Sequence, residues 1–340
     1  MNTISSRLRV AAVALGSLAL LGLAACGTED SNAAADAPKA EGCEAPPAAD
    51  DAEGETRTIS DTFLGDVKNV PTHPKRVVAL WRTGSELADL CVVPVGALEA
   101  EFLEEEIDPE RWADFDDIPT VGTYDGIDVE KILELEPDLI IGMDHGGLSI
   151  NYKEIAEIVP TVILDIKEPT DVWDNYPQVA DLVGRTTDYE ESLADLDEDL
   201  AEVKDEFGDK VGDLEVTSLN YADQLYADTS KSLTWRRLDA AGFGYNPTYT
   251  KNPDRYVEPL AMENLPELND QDIIFFEADN EGNATPEVQE VLDSASFKRL
   301  PAAKAGNVFP LATGTIYTFD AADEQLEDLR SAAENYQPAS

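Results

Sequence analysis

The stretch Val129-Glu130-Lys131-Ile132-Leu133-Glu134-Leu135-Glu136-Pro137-Asp138-Leu139-Ile140-Ile141 contains a helix, a stop and a strand in thirteen residues. Asp128 stands where a helix cap belongs, and Val129, Ile132, Leu133 and Leu135 fall on one helical face. Pro137 cannot continue that helix, and the unbroken apolar run behind it suits a strand covered on both faces. The same rhythm recurs along the chain, with strands expected at residues 76–80, 94–97, 138–141 and 161–164. Alternating strands and helices of this kind build α/β domains with parallel sheets.

Further on, Tyr189, Leu193, Leu196, Leu200, Val203 and Phe207 recur at steps of four and three, so one apolar stripe faces a core while the rest of the helix is acidic. The pattern alone fits an ordinary surface helix equally well. Its position favours a bridge, because the alternation restarts behind it with strands at 215–220, 272–276 and 308–311 and helices near 232–241 and 286–292. The chain therefore reads as lobe, long helix, lobe.

Composition narrows the function. In 340 residues, 24 Lys and Arg face 71 Asp and Glu, a net charge of −47 that repels nucleic acid and anionic lipid surfaces. Carboxylates spread over helical faces keep such a chain soluble, as a salt adaptation would. Two His and three Cys are too few for a multi-histidine zinc site or a disulfide framework. No G-x-S-x-G elbow, Walker A loop or H-E-x-x-H occurs, and Gly242-Phe243-Gly244 lacks a third glycine and reads as a turn. No residue set argues for an enzyme, and no cofactor is expected.

The N-terminus reads as an address. Arg7 and Arg9 precede a 14-residue apolar run at 10–23, shorter than the ~20 residues of a membrane-spanning helix and suited to a secretory signal. Leu23-Ala24-Ala25-Cys26-Gly27 resembles a bacterial lipobox. That resemblance implies cleavage before Cys26 and acylation of its thiol with diacylglycerol carrying palmitate-type chains. Residues 27–55 are Ala, Asp, Glu, Pro and Gly with almost no large apolar side chain, which suits a flexible tether. The expected divisions are signal peptide 1–25, lipidated cysteine and tether 26–56, first α/β lobe 57–168, helical connector 169–209 and second lobe 210–335. Cys43 and Cys91 could pair in an oxidising compartment, or Cys91 could be a buried free thiol; spacing does not decide.

On open parallel sheets, ligands sit beyond the carboxyl ends of the strands. Those ends carry Trp81 and Arg82, Tyr124, and His145 in Met143-Asp144-His145-Gly146-Gly147. The second half adds Tyr226, Arg236 and Tyr317, whereas Trp235 sits at helical spacing with Leu238 and suits a core. Aromatic rings with a few arginine donors fit a flat, partly polar ligand of medium size. Each of these residues has a plainer reading as packing or capping.

Pro74-Lys75-Arg76-Val77-Val78-Ala79-Leu80, Ser85-Glu86-Leu87-Ala88-Asp89-Leu90, Pro94-Val95-Gly96 and the 129–141 block resemble the substrate-binding proteins of ABC importers for iron-siderophore complexes and cobalamin. Met262-Glu263-Asn264-Leu265-Pro266 and Leu300-Pro301-Ala302-Ala303-Lys304-Ala305-Gly306-Asn307-Val308 extend the likeness, which spans about 57–330. It implies two Rossmann-like lobes with parallel sheets joined by one long backbone helix, a ligand cleft between them, and modest closure. It also implies a membrane permease whose basic pockets receive one glutamate from each lobe, here Glu130 and Glu263; each could instead simply favour its helix N-terminus. Cys91 departs from the glycine usual after Ala-Leu in this family.

The expected ligand is a ferric siderophore, of hydroxamate or mixed type given a few arginines in a very acidic chain. Haem, ligated by His145 or Tyr226, and cobalamin, stacked on Tyr124, are alternatives, and a sensor domain or an extracellular enzyme stands further off. Two distant histidines make direct zinc or manganese binding the poorest fit. The chain is expected to act as a monomer, lipid-anchored on the outer face of a Gram-positive or actinobacterial cell membrane.

Overall fold

The computed structural model describes residues 54–102, 107, 111–279, 281–312 and 317–338. The expected signal peptide, Cys26 and Cys43, and the expected tether up to residue 53 lie outside the described residues.

A twisted hairpin, β1 (Thr56–Thr62) and β2 (Gly65–Pro71), precedes the first lobe. Then follow β3 (Val77–Ala79), α1 (Gly84–Asp89), β4 (Gly96–Ala97), the small pair β5 (Gly122–Thr123) and β6 (Gly126–Ile127), α2 (Val129–Glu134), β7 (Leu139–Asp144), α3 (Lys153–Ala156) and β8 (Thr161–Asp165). The sheet order is β4-β3-β7-β8, and every pairing is parallel. The 129–141 stretch forms α2 and β7 as its sequence requires. Asp128 accepts the Lys131 N–H at 3.1 Å, and all six residues of β7 are buried. The hairpin lies on the outer strand β8, where the Phe63 N–H donates to the Ile163 carbonyl at 2.8 Å.

Two helices lead out of this lobe. α4 (Asp171–Leu182) ends before Gly184, whose φ of +71° turns the chain, and α5 (Thr186–Val211) runs for 26 residues, about 39 Å at 1.5 Å per residue. Of the predicted stripe, Tyr189, Leu196, Leu200 and Val203 are buried, and Leu193 and Phe207 pack partly buried against the same core.

The second lobe holds β9 (Val216–Tyr221), β10 (Leu225–Asp228), α6 (Leu233–Ala240), α7 (Pro247–Thr250), β11 (Val257–Pro259), β12 (Ile273–Ala278), α8 (Pro286–Asp293), α9 (Pro301–Ala305), β13 (Val308–Ala312) and α10 (Phe319–Asn335). Its sheet runs β11-β10-β9-β12-β13. Three strands are parallel as expected, but β10 runs antiparallel to both its neighbours, β9 and β11. Only Ala222, Asp223 and Gln224 join β9 to β10, too short a connection for a parallel crossover.

The two sheets share one core. Leu139 and Ile141 of the first, Ile273 and Phe275 of the second, and the inner faces of α4, α5 and α10 belong to a single buried apolar cluster. A continuous apolar interior resists a large hinge rotation, since opening it would expose buried side chains to water.

Cys91 resolves the departure noted in the sequence. It follows α1 with φ +58°; its N–H donates to the Ala88 carbonyl at 3.0 Å, and the Val92 N–H to Leu87 at 2.8 Å. These two bonds are the Schellman ending of a helix, whose left-handed residue is normally glycine. Cysteine there costs about 1–2 kcal/mol of backbone strain. Cys91 is disulfide-bonded, and the chain's other cysteines, Cys26 and Cys43, both fall outside the described residues.

Candidate functional site

Three strands of the first sheet end together, and the loops behind them supply one wall of a cavity of about 630 Å³. Behind β3 come Trp81 and Arg82, behind β7 His145, and behind β8 the 166–169 turn; Tyr256 and Tyr317 face them from the second lobe. That volume lies within the range of sites for drug-sized ligands.

Arg82 is the centre of the arrangement. Its guanidinium carbon lies 5.5 Å from the centroid of Trp81 and 5.4 Å from that of Tyr317, a cation held by rings from both lobes. Its φ of +64° is the left-handed region, uncommon for a residue with a side chain. Strain of this kind, worth about 1–3 kcal/mol, persists only where surrounding structure enforces it. His145 packs edge-on against Trp81, ring centroids 5.1 Å apart.

The loop that carries His145 is pinned from below. The buried Asp144 carboxylate accepts the Gly146 N–H at 2.6 Å and the Tyr152 hydroxyl at 2.8 Å, so the backbone reverses and leaves His145 outward. On the opposite rim Asp171, the first residue of α4, pins the preceding turn by accepting the N–H groups of Lys167 and Glu168 at 2.7 and 2.9 Å. Burial pushes the Tyr317 hydroxyl up, opposed by the nearby Arg82 charge, so the ring stays neutral and can donate or accept.

Of the residues singled out in the sequence, Trp81, Arg82, His145 and Tyr317 come together on the cavity wall. Tyr124 stands apart from that wall, 44% exposed, near enough to Arg82 and Glu101 for both charges to act on its hydroxyl. Tyr226 turns elsewhere: its hydroxyl donates to Asp223 at 2.7 Å and accepts from Gln224 at 3.1 Å. Arg236 makes a two-pronged pair with Asp174 of α4, at 2.8 and 3.2 Å, rather than facing the cavity. Tyr256 on the wall, and Glu101 beneath Arg82, escaped the sequence reading because both sit in loops without a periodic pattern.

Glu130 and Glu263 are exposed, each in the first turn of its helical segment, one in each lobe. Among the described residues, no cluster of three or more His, Cys, Asp or Glu is arranged to hold a metal ion, and no helix is long and apolar enough to cross a membrane.

The lobes are also tied beside the cavity. The Asp89 carboxylate of α1 accepts the Phe319 N–H of α10 at 2.6 Å and the Tyr176 hydroxyl at 2.9 Å, and Arg111 pairs with Asp320. Trp173, Tyr176, Tyr189 and Phe319 pack around this junction with ring centroids 5.1–5.8 Å apart.

A family model described as periplasmic binding protein matches residues 99–313. The "Probable siderophore-binding lipoprotein YfiY" of Bacillus subtilis is 30% identical over 276 residues, covering 74% of this chain and 79% of that protein. The "Iron(3+)-hydroxamate-binding protein YxeB" of the same organism is 26% identical, covering 74% and 77%. Among solved structures, the siderophore periplasmic binding protein from the fuscachelin gene cluster of Thermobifida fusca superposes with a TM-score of 0.67 at 24% identity, covering 78% of this chain and 98% of that one.

Proposed function

This chain belongs to the periplasmic binding protein family, and from that premise we propose that it is the lipid-anchored, extracytoplasmic binding protein of an ABC importer, capturing a ferric siderophore and delivering it to the permease. The observation that carries the reading is the cavity between the lobes. Its wall offers two aromatic rings stacked on one arginine, with a second tyrosine and an imidazole around them. Such a surface recognises the flat, electron-rich rim of a metal chelate by stacking and charge-assisted hydrogen bonds, without touching the iron itself. The relatives named for siderophore and iron-hydroxamate binding support the same ligand class.

The sequence before residue 54 completes the proposal. Cys26 carries the lipid, and the following segment tethers the binding lobes to the membrane surface. With the Cys26 thiol acylated, the disulfide of Cys91 falls to Cys43. Glu130 and Glu263, exposed on separate lobes, present the carboxylates that meet the permease.

The test is a titration of the full chain in detergent, which keeps every cysteine, with a ferric trihydroxamate, a ferric tricatecholate, ferric citrate, haem and cobalamin. Quenching of Trp and Tyr fluorescence reports binding. Saturable tight binding of one ferric siderophore is expected; tight binding of haem or cobalamin alone, or of nothing in the panel, overturns the reading.

A further inference from the structure

The turn that presents Arg82 is built around a buried carboxylate. Arg82 has φ +64°, and Thr83 follows at φ −123°, ψ −7°. A left-handed residue followed by a right-handed one turns successive N–H groups toward one point, a backbone nest that binds anions. Here the anion is internal. Glu101, only 7% exposed, accepts the Arg82 N–H through Oε1 at 3.3 Å and the Gly84 N–H through Oε2 at 3.2 Å. Gly84 admits it, because a Cβ at that position would stand 2.8 Å from the Glu101 Cβ.

Resting on the reading of the cavity as the ferric-ligand site, we propose that Glu101 is a positioning residue for ligand capture. Its carboxylate fills the nest, holds Arg82 in the left-handed conformation, and so delivers the guanidinium between Trp81 and Tyr317. Without an anion in the nest, the converging N–H groups repel one another, and Arg82 gains by relaxing to negative φ, which swings its side chain off the two rings.

Burial pushes the Glu101 carboxyl up to about 7, against the nest amides and the Arg82 charge that favour ionisation. The charged or titratable groups facing it are Arg82, Glu86 of α1 and Tyr124 beyond β5. Above that value the nest holds a carboxylate; below it, a neutral acid that accepts more weakly. Arg82 placement therefore loosens as the pH falls from 8 to 6.

Hydrogen exchange at the Arg82 and Gly84 amides, together with binding of a ferric trihydroxamate, tests this in the full chain. Glu101→Gln should speed exchange at those two amides at least tenfold and raise Kd about tenfold at pH 8. In an Arg82→Ala background the same substitution should leave Kd unchanged, because Glu101 acts through Arg82. Unaltered exchange in Glu101→Gln, or an equal loss of affinity with and without Arg82, overturns the proposal. Should Glu101→Gln fail to fold, wild-type exchange at the two amides decides: their protection must weaken from pH 8 to 6 beyond that of the surrounding amides, and constant protection overturns the proposal. If wild-type protein binds no ferric chelate, the proposed function fails separately, and the exchange data still decide whether Glu101 holds the turn.

Discussion

The Asp89 carboxylate accepts the Phe319 N–H at 2.6 Å, joining the end of α1 in the first lobe to the start of α10 in the second. Two residues before Phe319 stands Tyr317, one of the rings that hold Arg82. The interlobe bond and the cavity wall are thus parts of one segment, and α10 cannot shift without moving a ligand-facing side chain.

Asp89→Ala should therefore destabilise the fold. It strands the buried Phe319 N–H and leaves the Tyr176 hydroxyl only its longer bond to the Glu86 carbonyl at 3.3 Å, a loss on the order of 1–3 kcal/mol. Asp89→Asn keeps an oxygen for the Phe319 N–H and should cost less than half as much. Urea unfolding followed by fluorescence measures both; equal losses would mean that volume rather than hydrogen bonding matters at this position.

Stability should fall as pH rises from about 4 to 7. Burial raises Asp89, Glu101 and Asp228 to about 7, and Asp323 and Asp328 to about 6. In that window the folded chain retains protons that the unfolded chain has released, so deprotonation favours unfolding. The net charge of −47 acts in the same direction. Thermal unfolding at pH 5.5 should come ~5 °C or more above that at pH 8. A midpoint that rises with pH would contradict the sign.

Removing the central cation should weaken capture while leaving the fold intact. Arg82 is exposed and its side chain contacts two rings, so Arg82→Ala leaves no cavity, and the buried Glu101 that loses its neighbouring charge can take up a proton instead. The expected loss of affinity for the bound ferric chelate is ~1.5–3 kcal/mol, the scale of hydrogen bonds to a charged group. Calorimetry that finds an unchanged Kd would assign Arg82 to interlobe packing instead.

Much of the fold was legible because burial leaves marks in sequence. β7, β8 and β12 are apolar runs bounded by Pro or Asp, and α5 carries a stripe that only a helix would need. The β1–β2 hairpin was not legible: half its residues face water, and a polar, Thr-rich alternation resembles a loop. α10 does carry a readable signal, Thr318 capping the Ala321 N–H ahead of Phe319, Ala322, Leu326 and Leu329.

The site divides the same way. Trp81 and Arg82 were legible because strand ends can be located, whereas Arg236 was chosen as an arginine donor with nothing in the sequence to fix the direction it faces. Helical phase turns Arg236 outward to Asp174. Glu101 contacts the nest nineteen residues away in sequence, and no local pattern records such a contact.

Delivery to the permease should separate from capture. Glu130 and Glu263 are exposed in the first turns of helical segments in different lobes, and neither borders the cavity. Carboxylates so placed can meet basic pockets on a membrane partner, where opposite charge speeds encounter and fixes orientation. Replacing both with Ala should leave the unfolding midpoint and the Kd for the ferric chelate unchanged while uptake of radiolabelled iron by cells falls to the level of a strain lacking the protein. Reversing both charges to Lys should have the same effect on uptake, and a single replacement should leave it partly active. Normal uptake by the double variant would remove these glutamates from docking, and a tenfold loss of affinity would place them in ligand capture instead.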